Sequence, residues 1–97
     1  MSFKSLIYSA STNKELVTFI AYLGDANTKE HFVIIRGNGE LIEYDSASEF
    51  VFDTYFFANR GYAFTSMSLD GESYCFPDGT MKTILGSLLR RVENPQG

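Results

Sequence analysis

An α+β fold, with an antiparallel sheet of four to six strands and two helices packed on one face, is what this 97-residue sequence predicts. Three features point there. Runs rich in β-branched and aromatic residues are separated by tight-turn signals, a serine-led capping motif opens a helix near the middle, and the last apolar residues recur at helical spacing. Strands and helices that keep to separate stretches of sequence bury their apolar faces most simply as one sheet with helices on one side.

Phe3 to Ser11 and Leu16 to Leu23 form the first strand pair, joined by the polar Thr12-Asn13-Lys14. In the second of these strands Val17, Phe19, Ala21 and Leu23 make a wholly apolar alternation, while Leu16, Thr18, Ile20 and Tyr22 make a mixed one. The apolar set is expected to face the core. A loop at Gly24-Asp25-Ala26-Asn27-Thr28 leads to a third strand, His31 to Arg36, and Gly37-Asn38-Gly39 supplies a reversal into a fourth, Leu41 to Tyr44. Ser46-Ala47-Ser48-Glu49 then reads as a capping box, in which the serine hydroxyl accepts from the Glu49 amide and the carboxylate reaches back. Ala47, Phe50, Val51, Thr54, Tyr55 and Ala58 recur at helical spacing from this start, and Gly61 marks the stop. With five aromatics between Phe50 and Phe57, this helix has little polar face; it is either sandwiched in the core or partly offered to a partner. Tyr62 to Leu69, Asp70-Gly71 and Glu72 to Phe76 make a second hairpin, which Pro77-Asp78-Gly79 ends. Met81, Ile84, Leu85, Leu88, Leu89 and Val92 follow the spacing of an amphipathic helix, closed by Asn94-Pro95. Residues 1–94 are expected to form one domain and 95–97 a frayed tail.

Charge is unevenly distributed. Between Glu40 and Asp78 there are eight acids and one base, Arg60, a balance of −7 within a chain whose net charge is −4. Basic protein surfaces are the natural partners of such a segment, whereas direct contact with DNA or RNA would need clustered Lys and Arg. The chain has one histidine, His31, and one cysteine, Cys75, so catalytic triads and zinc sites would have to be assembled almost wholly from carboxylates. A structural His31 and a buried Cys75 thiol are the expected readings, and neither an enzyme nor a cofactor is expected. No apolar stretch reaches the roughly 18 residues of a membrane span, and no secretory leader opens the chain, which points to a cytoplasmic protein. The acids also serve as helix caps and turn residues, so a merely solvated acidic side is the competing reading. Against it stand six tyrosines and nine phenylalanines, more than a core of this size needs. Tyr8, Tyr22, Tyr44 and Tyr62 are the candidates for exposed aromatic surface.

The opening Met1-Ser2-Phe3 strand, the second strand ending near Tyr22, the step from strand to helix at Tyr44-Asp45-Ser46 and the closing Arg90-Arg91-Val92-Glu93-Asn94-Pro95 resemble small phage-encoded anti-CRISPR proteins that act on type I-F surveillance complexes. The resemblance implies a four-stranded antiparallel sheet with two antiparallel helices. It implies a stoichiometric blocker that sits on Cas7-type backbone subunits inside a bacterial host and prevents hybridisation of target DNA. It makes Tyr8 and Tyr22 contact residues, and places His31, with Glu30 beside it, where a contact glutamate is expected. The Tyr62 to Phe76 hairpin is an addition to that pattern, and Val92 interrupts its closing motif. Together with the charge balance, these residues give Tyr8, Tyr22, Glu30, His31, Glu40 and Glu43 as the expected partner-binding set of a chain that is monomeric when free. An acidic immunity protein that plugs a nuclease-type toxin is the alternative, and a small enzyme or ligand-binding domain with an aromatic pocket is a third class.

Overall fold

The computed structural model describes residues 4–24, 29–75 and 80–93. Its elements follow the order β1 (Ser5–Ser11), β2 (Leu16–Tyr22), β3 (His31–Ile35), β4 (Leu41–Tyr44), α1 (Ala47–Asn59), β5 (Ala63–Leu69), β6 (Glu72–Cys75) and α2 (Thr80–Glu93). The Met1-Ser2-Phe3 landmark, the Pro77-Asp78-Gly79 break, the boundary at 94 and the tail at 95–97 lie outside the described residues. So do the side chains of Cys75, Met81 and Val92.

All strand pairings are antiparallel, in the order β4-β3-β2-β1-β5-β6. The first four strands form a meander, because each connection between them is short enough only for a reversal. In the first turn, Thr12 N–H donates to Glu15 O at 2.9 Å, and Thr12 Oγ1 accepts from the amides of Lys14 and Glu15 at 3.1 Å each. At the third turn Gly39 adopts φ +91°, which glycine reaches without steric cost. From the β4 edge, α1 passes back over β3 and β4 and delivers the chain to β5 beside β1. The second hairpin is therefore a continuation of the same sheet on its other side. Asp70 (φ +52°) and Gly71 (φ +89°) make its turn, and Asp70 Oδ1 accepts from the Lys4 and Ser5 amides at 2.8 Å each, tying that turn to the start of β1.

Both ends of α1 are built from local chemistry. Ser46 Oγ accepts from Glu49 N–H at 3.2 Å, the forward half of the capping box; the returning bond from the Glu49 carboxylate is absent. At the C-terminus Gly61 takes φ +88°, its amide donates to Ala58 O, and the Tyr62 amide donates to Phe57 O, each at 3.3 Å. This is a Schellman ending. Its usual apolar contact is made by Tyr62 against Phe57, with ring centroids 4.9 Å apart.

One core cluster draws on β1 to β5 and both helices. Residues directly opposite in an antiparallel pair share a face, so the register Tyr8↔Phe19↔Ile34 carries a single buried row across β1, β2 and β3. Val17, Phe19, Ala21 and Leu23 are buried, as the alternation in β2 predicts. On β5, a bulge between the partners of Ser9 and Ala10 brings Phe64 opposite Ala10. Phe64 thereby joins the helix-covered side, 5.5 Å from the Phe19 ring. α1 buries Ala47, Phe50, Val51, Thr54 and Phe57, while Tyr55 and Ala58, expected on the buried face, are half-buried at its margin. Ile84, Leu85 and Leu88 close the core from α2.

Tyr8 is the main correction to the expected surface. Its side chain is 2% exposed, stacked on Phe19 at 4.8 Å. Thr54 Oγ1 donates to Phe50 O at 3.1 Å, leaving its oxygen to accept from the Tyr8 hydroxyl at 2.7 Å. A phenol can be buried so deeply only because that hydroxyl is matched, and burial pushes its ionisation far above the ordinary range.

Removing buried methyl groups at Leu88, which has no exposed surface, should cost about 2–5 kcal/mol. Denaturant unfolding of Leu88→Ala beside Leu89→Ala, a residue only partly buried, tests the placement of α2; equal stability losses at the two positions would contradict it.

Candidate functional site

Both helices lie on one side of the sheet, so its other side faces solvent. The register reads across that open face as a row: Glu43, Val33, Ile20, Ile7, Ser68, Ser73. A second row runs Leu41, Ile35, Thr18, Ser9, Ser66. The face thus divides into two halves. Strands β4, β3 and β2 present an aliphatic surface that β1 extends at Ile7, and beyond Ile7 strands β1, β5 and β6 present serines. Leu16 (58% exposed), Leu41 (55%) and Ile7 (41%) are large apolar side chains in water here, because no element packs over them.

Tyr22 and His31 stand at one end of the aliphatic half. They are paired in the β2–β3 register with rings stacked 6.4 Å apart, and Ser5 completes their row. Glu30 is exposed immediately before His31, and Glu43 is exposed on β4 opposite Val33. Glu40 precedes β4 and is exposed as well. Five of the six residues expected to bind a partner therefore lie on or beside this half of the sheet. Tyr8 lies beneath it, on the buried side.

The other end is held rigid by Glu15. Its carboxylate accepts from Arg36 Nε at 2.6 Å and Arg36 Nη2 at 2.8 Å, from the Tyr62 hydroxyl at 2.6 Å, and from the Gly37 amide at 3.2 Å. Three remote segments, the β1–β2 turn, the β3–β4 turn and the exit of α1, converge on one side chain. Gly37 is required by closeness: a Cβ there would lie 2.9 Å from Glu15 Cγ and 3.1 Å from Leu16 O. Donation from Arg36, then from Tyr62, draws the Glu15 carboxyl from 4.5 to about 2. Glu15, Arg36 and Gly37, with Lys14, Leu16, Thr18, Ile35 and Asn38, line an open depression of about 690 Å³.

Tyr44 and Tyr62 are partly exposed, as Tyr22 is, but they pack against the core rather than stand on the open face. The Tyr62 hydroxyl is bound to Glu15 and the Tyr44 hydroxyl donates to Asp53. Burial, followed by the Asp53 carboxylate, raises the Tyr44 ionisation. Of the four tyrosines expected outside, Tyr22 alone stands on the open face. Among the described residues the exposed Phe and Tyr side chains, Phe52, Phe56 and Tyr74, are others.

The acidic segment is not one surface. Glu40, Glu43, Asp45, Glu49 and Asp53 gather along the β4 edge and the start of α1, with no Lys or Arg between Arg36 and Arg60 in the sequence. Asp70 and Glu72 belong to the β5–β6 hairpin, at the opposite edge of the sheet. Asp78 lies outside the described residues. Arg36 makes the one ion pair among the described residues, with Glu15, and its charge also acts on Glu40 at the start of the β4 edge.

No protein family, curated protein or solved structure matches the chain. Among the described residues no three His, Cys, Asp or Glu side chains gather as a metal ion would require, and no helix is long and apolar enough to cross a membrane. The chemistry that the open face offers is that of a contact surface: an aliphatic patch, a Tyr–His stack at one end and carboxylates along one rim.

The depressed Glu15 ionisation fixes a sign for acid stability. Glu15 binds its proton more readily in the unfolded chain than in the folded one, so its contribution is complete above pH 4.5 and is lost as the pH falls through about 2. Unfolding free energies of the parent and Glu15→Gln proteins should converge as the pH is lowered across that window. A gap that stays constant would show that the carboxylate is not the group being titrated.

Proposed function

We propose that this protein is a small non-enzymatic inhibitor that docks the β2–β3–β4 half of its open sheet face onto a basic surface of a nucleic-acid-handling complex. The observation that carries the reading is the join on one uncovered face of an aliphatic patch, the Tyr22–His31 stack and the Glu43 carboxylate. Apolar area on such a patch supplies affinity by leaving water, and aromatic anchors concentrate it. The acidic rim supplies encounter rate and orientation toward cationic partners. The resemblance at Tyr22, Tyr44-Asp45-Ser46 and Arg90 to Pro95 names the partner class: the Cas7-type backbone subunits of a type I-F surveillance complex in the cytoplasm of a bacterial host, where occupancy would keep target DNA from its guide. Tyr22, Glu30, His31, Glu40 and Glu43 are the proposed contact residues, and Tyr8 acts only through the fold beneath them.

Purified type I-F complex offers the test. The protein should bind it stoichiometrically and exclude target DNA, and its association rate should fall as salt screens the acidic rim. Glu43→Lys should slow association and flatten its salt dependence. Tyr22→Ala should weaken binding by about 1–3 kcal/mol while keeping the parental melting temperature. Absence of binding removes the partner class; binding that ignores both substitutions removes the open face as the contact surface.

A further inference from the structure

A second apolar surface lies on the other side of the molecule. Phe52 and Phe56, one turn apart on the outer side of α1, are 70% and 44% exposed. With Tyr55, Asn59 and Arg60 they line an open groove of about 350 Å³. The Arg60 guanidinium lies over the Phe56 ring, 4.2 Å from its centroid, so the cation is held at the C-terminal end of the patch. Exposed carboxylates stand at the N-terminal end, on Asp45 and Glu49.

The patch is symmetric in sequence about Thr54. Phe52 and Phe56 are each two positions from it, Glu49 and Asn59 five, Ser48 and Arg60 six. Two such helices laid antiparallel at that level would bring Phe52 of each against Phe56 of the other. At both ends Arg60 of one copy would reach the first turn of the other, beside Ser48 and Glu49. A surface whose halves complement each other under a two-fold rotation is what an isologous interface requires. In that arrangement phenylalanine pairs would fill its centre, and opposite charges would meet at its ends.

We propose that the outer face of α1 is the interface of a two-fold symmetric homodimer. The charge pattern selects a second copy as the occupant, because the patch carries its own complement: a cation at one end and carboxylates at the other, with matched rings between. The dimer is weak and reversible, since one face of a 13-residue helix falls short of the roughly 800 Å² per partner of a standard interface. It departs from the expectation of a free monomer and does not depend on the proposed inhibitory role. Because α1 covers the opposite side of the sheet from the open face, pairing would leave two open faces directed outward. A dimer of this kind engages repeated sites with the gain in avidity that linkage gives.

Sedimentation equilibrium of the full chain, from micromolar to millimolar concentration, tests the proposal. The average mass should rise from 10.9 kDa toward twice that value. Phe52→Ser, which removes an exposed ring, should stay at the single-chain mass throughout with an unchanged melting temperature. Glu49→Arg and Arg60→Glu should each weaken association at least tenfold, and the double exchange should restore it. A constant single-chain mass for the parent overturns the proposal. So does a Phe52→Ser protein that associates like the parent, or a double exchange no better than the single ones.

Discussion

The register between β1 and β2 decides the rest of this molecule. With Tyr8 opposite Phe19, and β1 hydrogen-bonded to β5 on its other side, Leu6, Tyr8 and Ala10 all point to the side that the helices cover. A slip of one residue would exchange every side chain between the two faces and expose the row that packs against α1. The buried Tyr8 to Thr54 to Phe50 hydrogen-bond chain adds a directional lock to this register, because a slipped strand would strand a phenol hydroxyl without its acceptor. The Asp70 side chain, bound to the Lys4 and Ser5 amides, holds the far end of β1 against the second hairpin.

One covered face implies one uncovered face, and its composition is not that of an ordinary solvated sheet. Serines occupy the half formed by β1, β5 and β6, as expected where a sheet meets water. The half formed by β2, β3 and β4, with Ile7 at its border, keeps isoleucine, valine and leucine instead. The Glu15 network fixes the turns at one end of that half, and the carboxylates of β4 border its edge. Apolar area and a charged rim therefore coincide at one place on the sheet. The exposed phenylalanines of α1 form a separate apolar surface on the helix side, so two faces of the molecule remain open to partners.

Much of this was legible in the sequence because it rests on local chemistry. The Ser46 cap, the Gly61 stop, the Asp70-Gly71 turn and the alternation of β2 each set an element or its orientation within a few residues. The place of the second hairpin was not legible, since β1–β5 pairing joins segments more than fifty residues apart and depends on a bulge. Tyr8 was misplaced because its hydroxyl suggests a surface, while the acceptor that permits burial sits 46 residues away on α1. A signal for it did exist: Ser5, Ser9 and Ser11 alternate with Leu6, Tyr8 and Ala10, which assigns Tyr8 to the apolar set. The aromatic crowding of α1 left two readings open, and the exposure of Phe52 and Phe56 decides for a helix partly offered outward.

The one-sided cover of the sheet is the claim on which the site and its proposed function stand. Methyl NMR with a soluble paramagnetic agent measures it directly in the free protein, because relaxation of each methyl reports its distance from solvent. The account predicts strong relaxation of Ile7, Leu16 and Leu41 beside protection of Ile34, Ile84 and Leu88. Equal protection of the two sets would mean that another element covers the face described here as open, and would contradict the account.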